Sequence, residues 1–324
     1  MKKILGVFAL FVVLNGCNDG DLKIDTINFD AVQANSCDET IYKLNGNEAL
    51  FMKIPASLNA FNNDVTALDS PTEIPILGSV TVTYRAYNGL VTAANICNSP
   101  GPIAPIATEE WVATSGTIEI STIALYSTPD VITGATKITK YAHHIVFKNL
   151  VFSKPEGTQI YETFTFGDYN TTPTTLPLSF DADNVRICAS NQLVYNARTN
   201  GIEGLFIQNF DATLLNTSNL GVAKTALLSS TSNKLVYRLF KSAFTIANNA
   251  DYFCGATFPT TPEVNEEWIA KDGVTSVSGI LEVTTTTNGS GFLHTIRLKA
   301  VTLQKGNSTF YLGDNILYGS LLTN

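Results

Sequence analysis

Clustered positive charge is missing from this chain. Its 20 Lys and Arg residues are outnumbered by 28 Asp and Glu, a formal net charge of −8, and no basic cluster occurs beyond Lys2-Lys3. Phosphate contacts need such clusters, so nucleic acid is not expected as a partner. Histidine is scarce, with three residues in 324. No Gly-x-Ser-x-Gly, His-Glu-x-x-His, phosphate loop or dinucleotide fingerprint is present, so no local motif points to an enzyme or a cofactor. No cysteine pair shows Cys-x-x-Cys spacing, which argues against redox or metal chemistry. Long segments of helical period are lacking too. The one long apolar run, residues 4–14, is shorter than the roughly 20 residues needed to span a bilayer.

That run belongs to an N-terminal signal. Lys2-Lys3 precedes it, and Leu14-Asn15-Gly16-Cys17 closes it with small residues before a cysteine. This order resembles the lipobox of bacterial lipoprotein signal peptides. The resemblance implies removal of residues 1–16 and acylation of Cys17, with residues 17–28 as a tether on the lipid bilayer. Asn18-Asp19-Gly20-Asp21 looks like the acidic stretch that directs many Bacteroidetes lipoproteins to the outer face of the outer membrane. Asp25-Thr26-Ile27 is similar to the O-glycosylation triplet of that phylum. A membrane-anchored protein facing the cell surface or the periplasm is the expectation.

The remainder contains its own duplication. Phe29-Asp30-Ala31 and Cys37 match Phe180-Asp181-Ala182 and Cys188. Gly46, Glu48, Leu50 and Phe51 match Gly201, Glu203, Leu205 and Phe206, and Tyr84-Arg85 matches Tyr237-Arg238. Fourteen residues separate Cys97 from Trp111 and Cys254 from Trp268, with Glu109-Glu110 and Glu266-Glu267 in register. Gly116 and Glu119 match Gly279 and Glu282 after a short insertion, and His143, Ile145 and Lys148 match His294, Ile296 and Lys299. Gly167-Asp168 and Gly313-Asp314 are read as the turns that end both series. The Thr- and Pro-rich stretch 170–179 is the expected linker between repeats 29–169 and 180–324.

Period-two alternation marks the strands. Val80, Val82 and Tyr84 alternate with Thr81, Thr83 and Arg85, and Ile118 and Ile120 with Thr117, Glu119 and Ser121. An all-β protein of two tandem homologous β-sandwiches is predicted, with an Ig-like topology as one architecture that fits. With Cys17 consumed by lipid, four cysteines remain and three pairings are formally open. Duplication favours Cys37 with Cys97 and Cys188 with Cys254, one bridge per repeat.

His143 shares a strand face with Ile145 and Phe147, and His294 with Ile296 and Leu298, so both are expected to be hydrogen-bonded core residues. The Glu pairs point to opposite strand faces and form no acid/base couple by themselves. Asp181-Ala182-Asp183-Asn184 has the alternating oxygens of a calcium loop, but Asp30-Ala31-Val32-Gln33 lacks the second carboxylate, so no metal is assigned. Trp111 and Trp268 are expected to pack on the disulfides in the core; exposed, they would be sugar platforms. The expected function is non-enzymatic presentation of a binding or structural surface to a glycan or protein ligand. Glycan capture in a polysaccharide-uptake system is the alternative by architectural analogy, and a hydrolase with a site between the domains is the alternative from another class.

Overall fold

The computed structural model describes residues 26–198, 200–244 and 248–324. Cys17 and the signal segment lie outside the described residues. The chain is all-β with two sheets, and a disulfide lies in each half. The first half contains β1 (Asn35–Cys37), β2 (Thr40–Asn45), β3 (Glu48–Lys53), β4 (Thr72–Pro75), β5 (Thr81–Tyr87), the short helix α1 (Ala93–Cys97), β6 (Ala107–Tyr126), β7 (Ile138–Lys154) and β8 (Gly157–Thr171). The second contains β9 (Val185–Cys188), β10 (Leu193–Asn196), β11 (Glu203–Gln208), β12 (Ala223–Leu227), β13 (Lys234–Phe240), α2 (Asn248–Cys254), β14 (Val264–Ala270), β15 (Ile280–Asn288), β16 (Gly291–Lys305) and β17 (Ser308–Thr323).

Strand order runs β1-β2-β3-β5-β6-β7-β8 with β4 on β6, and β9-β10-β11-β13-β14-β16-β15-β12 with β17 on β16. The two orders superimpose once β14 and β15 are taken as β6 cut in two. The cut follows from the sequence, because six extra residues stand between Trp268 and Gly279 compared with Trp111 and Gly116. Neighbours in this order are mostly neighbours in the chain, a meander rather than the Greek key of an Ig domain. An Ig-like topology is therefore not the one adopted.

Each half forms two layers by bending long strands. In β7 the core-facing residues are Ile145 and Phe147 and then Leu150 and Phe152, all buried, so the inward face changes parity around Asn149, whose φ is 49°. β16 repeats this with Ile296 and Leu298, then Val301 and Leu303, around Ala300 at φ 48°. A period-two strand can change parity only by an extra residue, and such a bulge also bends the strand. The partner β6 shifts register beside it, at Ser115 and Gly116. A Cβ on Gly116 would lie 3.0 Å from Leu150 Cα, so the two strands meet here too closely for a side chain. β6 pairs with β5 before this corner and with β4 after it. Residues from both limbs, Leu50, Val82 and Trp111 on one and Ile74, Ile118 and Phe147 on the other, share one core.

Gly167-Asp168 and Gly313-Asp314 are not turns. Both lie inside strands that continue to Thr171 and Thr323. Ile145 pairs with Gly167 and Ile296 with Gly319, so Gly319, not Gly313, is the structural equivalent of Gly167. Phe166 and Tyr318 are the extra residues of matching bulges, both buried, beside glycines at φ 96° and 142°. A Gly-Asp pair supplies positive φ to a turn or to a bulge alike, which is why local sequence suggested the wrong one.

The short helices, which hydrophobic period did not reveal, end in Cys97 and Cys254 and are tied to β1 and β9 by Cys37–Cys97 and Cys188–Cys254. No helix among the described residues is long and apolar enough to cross a membrane.

Candidate functional site

Both tryptophans are buried, Trp111 at 1% exposure and Trp268 at 3%, but neither packs on a disulfide. Cys188 and Cys254 sit with Tyr195, Phe206 and Phe253 in a separate cluster, on the sheet face opposite the main core that holds Trp268. The partners of the indoles come instead from their own face. Trp111 lies against Tyr84 and Phe152, and Trp268 against Phe310. In both repeats the indole N–H donates to the carboxylate two residues upstream, Glu109 at 2.7 Å and Glu266 at 2.9 Å. In both, a lysine ammonium caps the ring, Lys154 at 5.0 Å and Lys305 at 5.1 Å. Neighbouring tyrosines donate to Glu48 and Glu203. Burial and the Glu203 carboxylate push the Tyr237 hydroxyl far above its ordinary range. Glu110 and Glu267 turn to the other face and hold Arg85 and Arg238. Thus each Glu pair divides between the two faces, one carboxylate accepting from an indole and the other pairing with an arginine.

His143 and His294 are core residues, 0% and 1% exposed. Each ring lies between two threonine hydroxyls: Thr122 and Thr171 at 2.8 and 2.9 Å from His143, Thr285 and Thr323 at 2.9 Å each from His294. Thr171 spends its proton on Asn63 Oδ1 at 2.8 Å, so it accepts from His143 Nε2–H and leaves Nδ1 to accept from Thr122. This arrangement suits the neutral ring. Burial lowers the pKa of His143 to about 4 and also lowers that of His294.

A stability prediction follows, with its sign. Between pH 6.5 and about 4 the unfolded chain binds a proton that folded His143 refuses, so stability is full above 6.5 and falls as acid is added. The loss approaches the order of 3 kcal/mol for His143 alone. Urea unfolding at pH 7 and pH 4.5 measures it, and His143→Gln should flatten the slope.

Lys43 and Asn196 are two of the buried polar residues that sequence reading passed over. Equivalent by register, they tie down the chain entering each repeat: Lys43 Nζ donates to Phe29 O at 3.1 Å, and Asn196 Nδ2 to Asp181 O at 2.9 Å. In the calcium-like loop, Asp181 Oδ1 accepts from Asp183 N–H and the Asn184 amide donates to Ala197 O. The Asp181 carboxylate serves a turn, and no group of three metal-ligating side chains occurs among the described residues.

What sequence reading did not foresee is a groove between the repeats. Asp64, between β3 and β4, accepts from Asn307 N–H at 3.0 Å, Ser308 N–H at 2.9 Å and Ser308 Oγ–H at 2.8 Å. Thr136 N–H donates to Tyr311 O at 2.9 Å, and Asp314 N–H to Thr133 O at 2.7 Å. These bonds fasten the β6–β7 and β3–β4 connections of the first repeat onto β17 and the turn before it. Glu203 holds the connecting segment over the space left between, accepting from Leu178 and Ser179 N–H at 2.9 and 2.8 Å.

The partly open cavity in this groove is about 280 Å³. Its walls are Ile138 and Tyr141 of the first repeat, Leu176 of the connecting segment, and Trp268 and Phe310 of the second, with the Glu266–Lys305 ion pair at 3.1 Å on one side. Trp111 does not line it. Tyr141 is 1% exposed and its hydroxyl makes no hydrogen bond; the nearby Ser308 Oγ already donates to Asp64 and accepts from Val65 N–H. Burial raises the Tyr141 pKa. A buried hydroxyl without a partner costs roughly 1–3 kcal/mol. No protein-family model, curated protein or solved structure matches the chain.

Proposed function

We propose that this chain is a lipid-anchored exported protein with a non-enzymatic binding role, and that its ligand sits in the groove between the repeats. The lipobox-like Leu14-Asn15-Gly16-Cys17 supports the anchor, and two disulfides support an oxidising, non-cytoplasmic setting. One observation carries the binding role: a mostly apolar cavity between the repeats, walled by Ile138, Leu176, Trp268 and Phe310. The size and lining suit a compact, largely apolar molecule. Glycan capture on a surface ring would need an exposed aromatic platform, and Trp111 and Trp268 present none. Of the two, only Trp268 remains a candidate ligand contact, through the groove. Both matched histidines are spent on threonine hydroxyls, which favours binding over hydrolysis.

The test uses full-length protein and anilinonaphthalene sulfonate, an apolar probe with one polar group. Saturable binding at one site is expected, weakened at least about tenfold by Leu176→Arg, which fills the groove from the linker side. Tyr141→Phe should raise thermal stability, because it removes an unsatisfied hydroxyl. Equal binding by wild type and Leu176→Arg would place the ligand elsewhere. Mass spectrometry of the protein from its host should find diacylglycerol on Cys17.

A further inference from the structure

We propose that residues 88–106 of the first repeat form a membrane-seating loop that sets Leu90, Ile103 and Ile106 into the lipid surface holding Cys17. The inference rests on the anchor reading above and concerns how the anchored body is oriented. These three side chains are 74%, 95% and 60% exposed. No charged residue occurs from Asn88 through Ala107.

The fold puts this loop where the tether leaves the domain. Asn28, close to the first described residue, has its carbonyl bonded by Asn45 Nδ2 at 3.1 Å. The next residue, Gly46, accepts from Val91 N–H at 3.0 Å. Asn88 and Ile106 close the base of the loop with bonds of 3.0 and 2.9 Å. A Cβ on Gly89 would lie 3.5 Å from Pro105 Cβ, so its two limbs touch. Beneath them, Tyr87, Val91 and Ile96 pack on Ala49, and Cys97 is bridged to Cys37. Nine residues separate Cys17 from Thr26, a reach of roughly 30 Å at most. Lipid joined to Cys17 is thus held near the pole that carries the loop.

The second repeat is an internal control. It closes the same loop with the same backbone bonds, Lys241 N–H to Glu263 O and Phe244 N–H to Gly201 O, each 2.9 Å. There the equivalents of Leu90, Ile103 and Ile106 are Ala243, Thr260 and Glu263, and Glu263 pairs with Lys241 at 2.6 Å. Among its described residues the large apolar side chains Phe244, Tyr252, Phe253 and Phe258 are turned inward, Phe258 beneath Arg238. The scaffold therefore does not demand apolar residues at these positions. Only the copy next to the tether carries them. Charge is absent where it would have to be desolvated, and apolar area stands where an interfacial segment would bury it.

The experiment reconstitutes full-length acylated protein in phosphatidylcholine vesicles whose acyl chains carry bromine, with Ile103→Trp and Thr260→Trp compared. Trp111 and Trp268 are buried in both variants and give a constant background. Emission from Ile103→Trp should be quenched at least about twofold by the brominated lipid and shielded from iodide, and Thr260→Trp should show the reverse. Equal quenching of the two, on vesicles that carry the protein, would overturn the loop assignment and leave the anchor standing. Wild-type protein that fails to float with vesicles and has an unmodified Cys17 would overturn both. Ile103→Ser, with unchanged melting temperature, should loosen the orientation of the anchored protein, read as faster cleavage by added protease near the tether.

Discussion

Trp111→Ala and Trp268→Ala each destabilise the protein by about 3–5 kcal/mol, the range for deleting a buried aromatic side chain that its neighbours cannot replace. Both indoles are closed in from three directions: the carboxylate that accepts the N–H, the lysine over the ring, and an aromatic partner at 4.8 Å for Trp111 and 5.0 Å for Trp268. Truncation leaves Glu109 or Glu266 without its donor as well as a void, so the upper end of the range is expected. Chemical unfolding followed by circular dichroism measures the loss. Wild-type emission should be blue-shifted and poorly quenched by iodide, and ready quenching of both residues in folded protein would contradict the buried placement. The two variants should differ in one respect. Trp268 is a wall of the groove and Trp111 is not, so only Trp268→Ala should alter binding of the naphthalene probe.

Removal of either disulfide as a double Cys→Ala variant should cost about 4 kcal/mol in the chain-entropy account, since the bridges span 60 and 66 residues. The second bridge should cost more. Cys188 is buried among Tyr195, Phe206 and Phe253, where shortening both side chains also leaves a cavity, whereas Cys37 and Cys97 are only partly buried. Denaturant midpoints of the two double variants, compared with wild type, give the order. A smaller loss for Cys188→Ala/Cys254→Ala than for Cys37→Ala/Cys97→Ala would mean that the second aromatic cluster collapses without the bridge.

How far these features were legible depends on whether they repeat. The cysteine pairing could be argued because the two copies offer matched cysteines and a domain must close its own chain. Burial of the histidines could be argued because strands alternate, and His143 falls on the side of Ile145 and Phe147. The threonines that saturate the rings were out of reach. Thr122 and Thr171 come from β6 and β8, and only strand register brings them to β7. The glycine pairing failed for a related reason: Gly313-Asp314 copies the letters of Gly167-Asp168, while the backbone position is copied by Gly319.

By itself, the amino-acid sequence determined the all-β class, the duplication and one disulfide per copy. All three rest on local period or on comparison of one half with the other, and neither needs a third dimension. Tertiary structure decided the meander order, the bulges that fold each sheet over its own core, and the groove. The groove could not be read from self-comparison, because Asp64, Thr133 and Thr136 of one repeat bind Ser308, Asp314 and Tyr311 of the other, and no such pair is related by the duplication. Contacts between unlike faces leave no matched pattern in either copy. They appear only when long strands, bent at Asn149 and Ala300, bring those faces together.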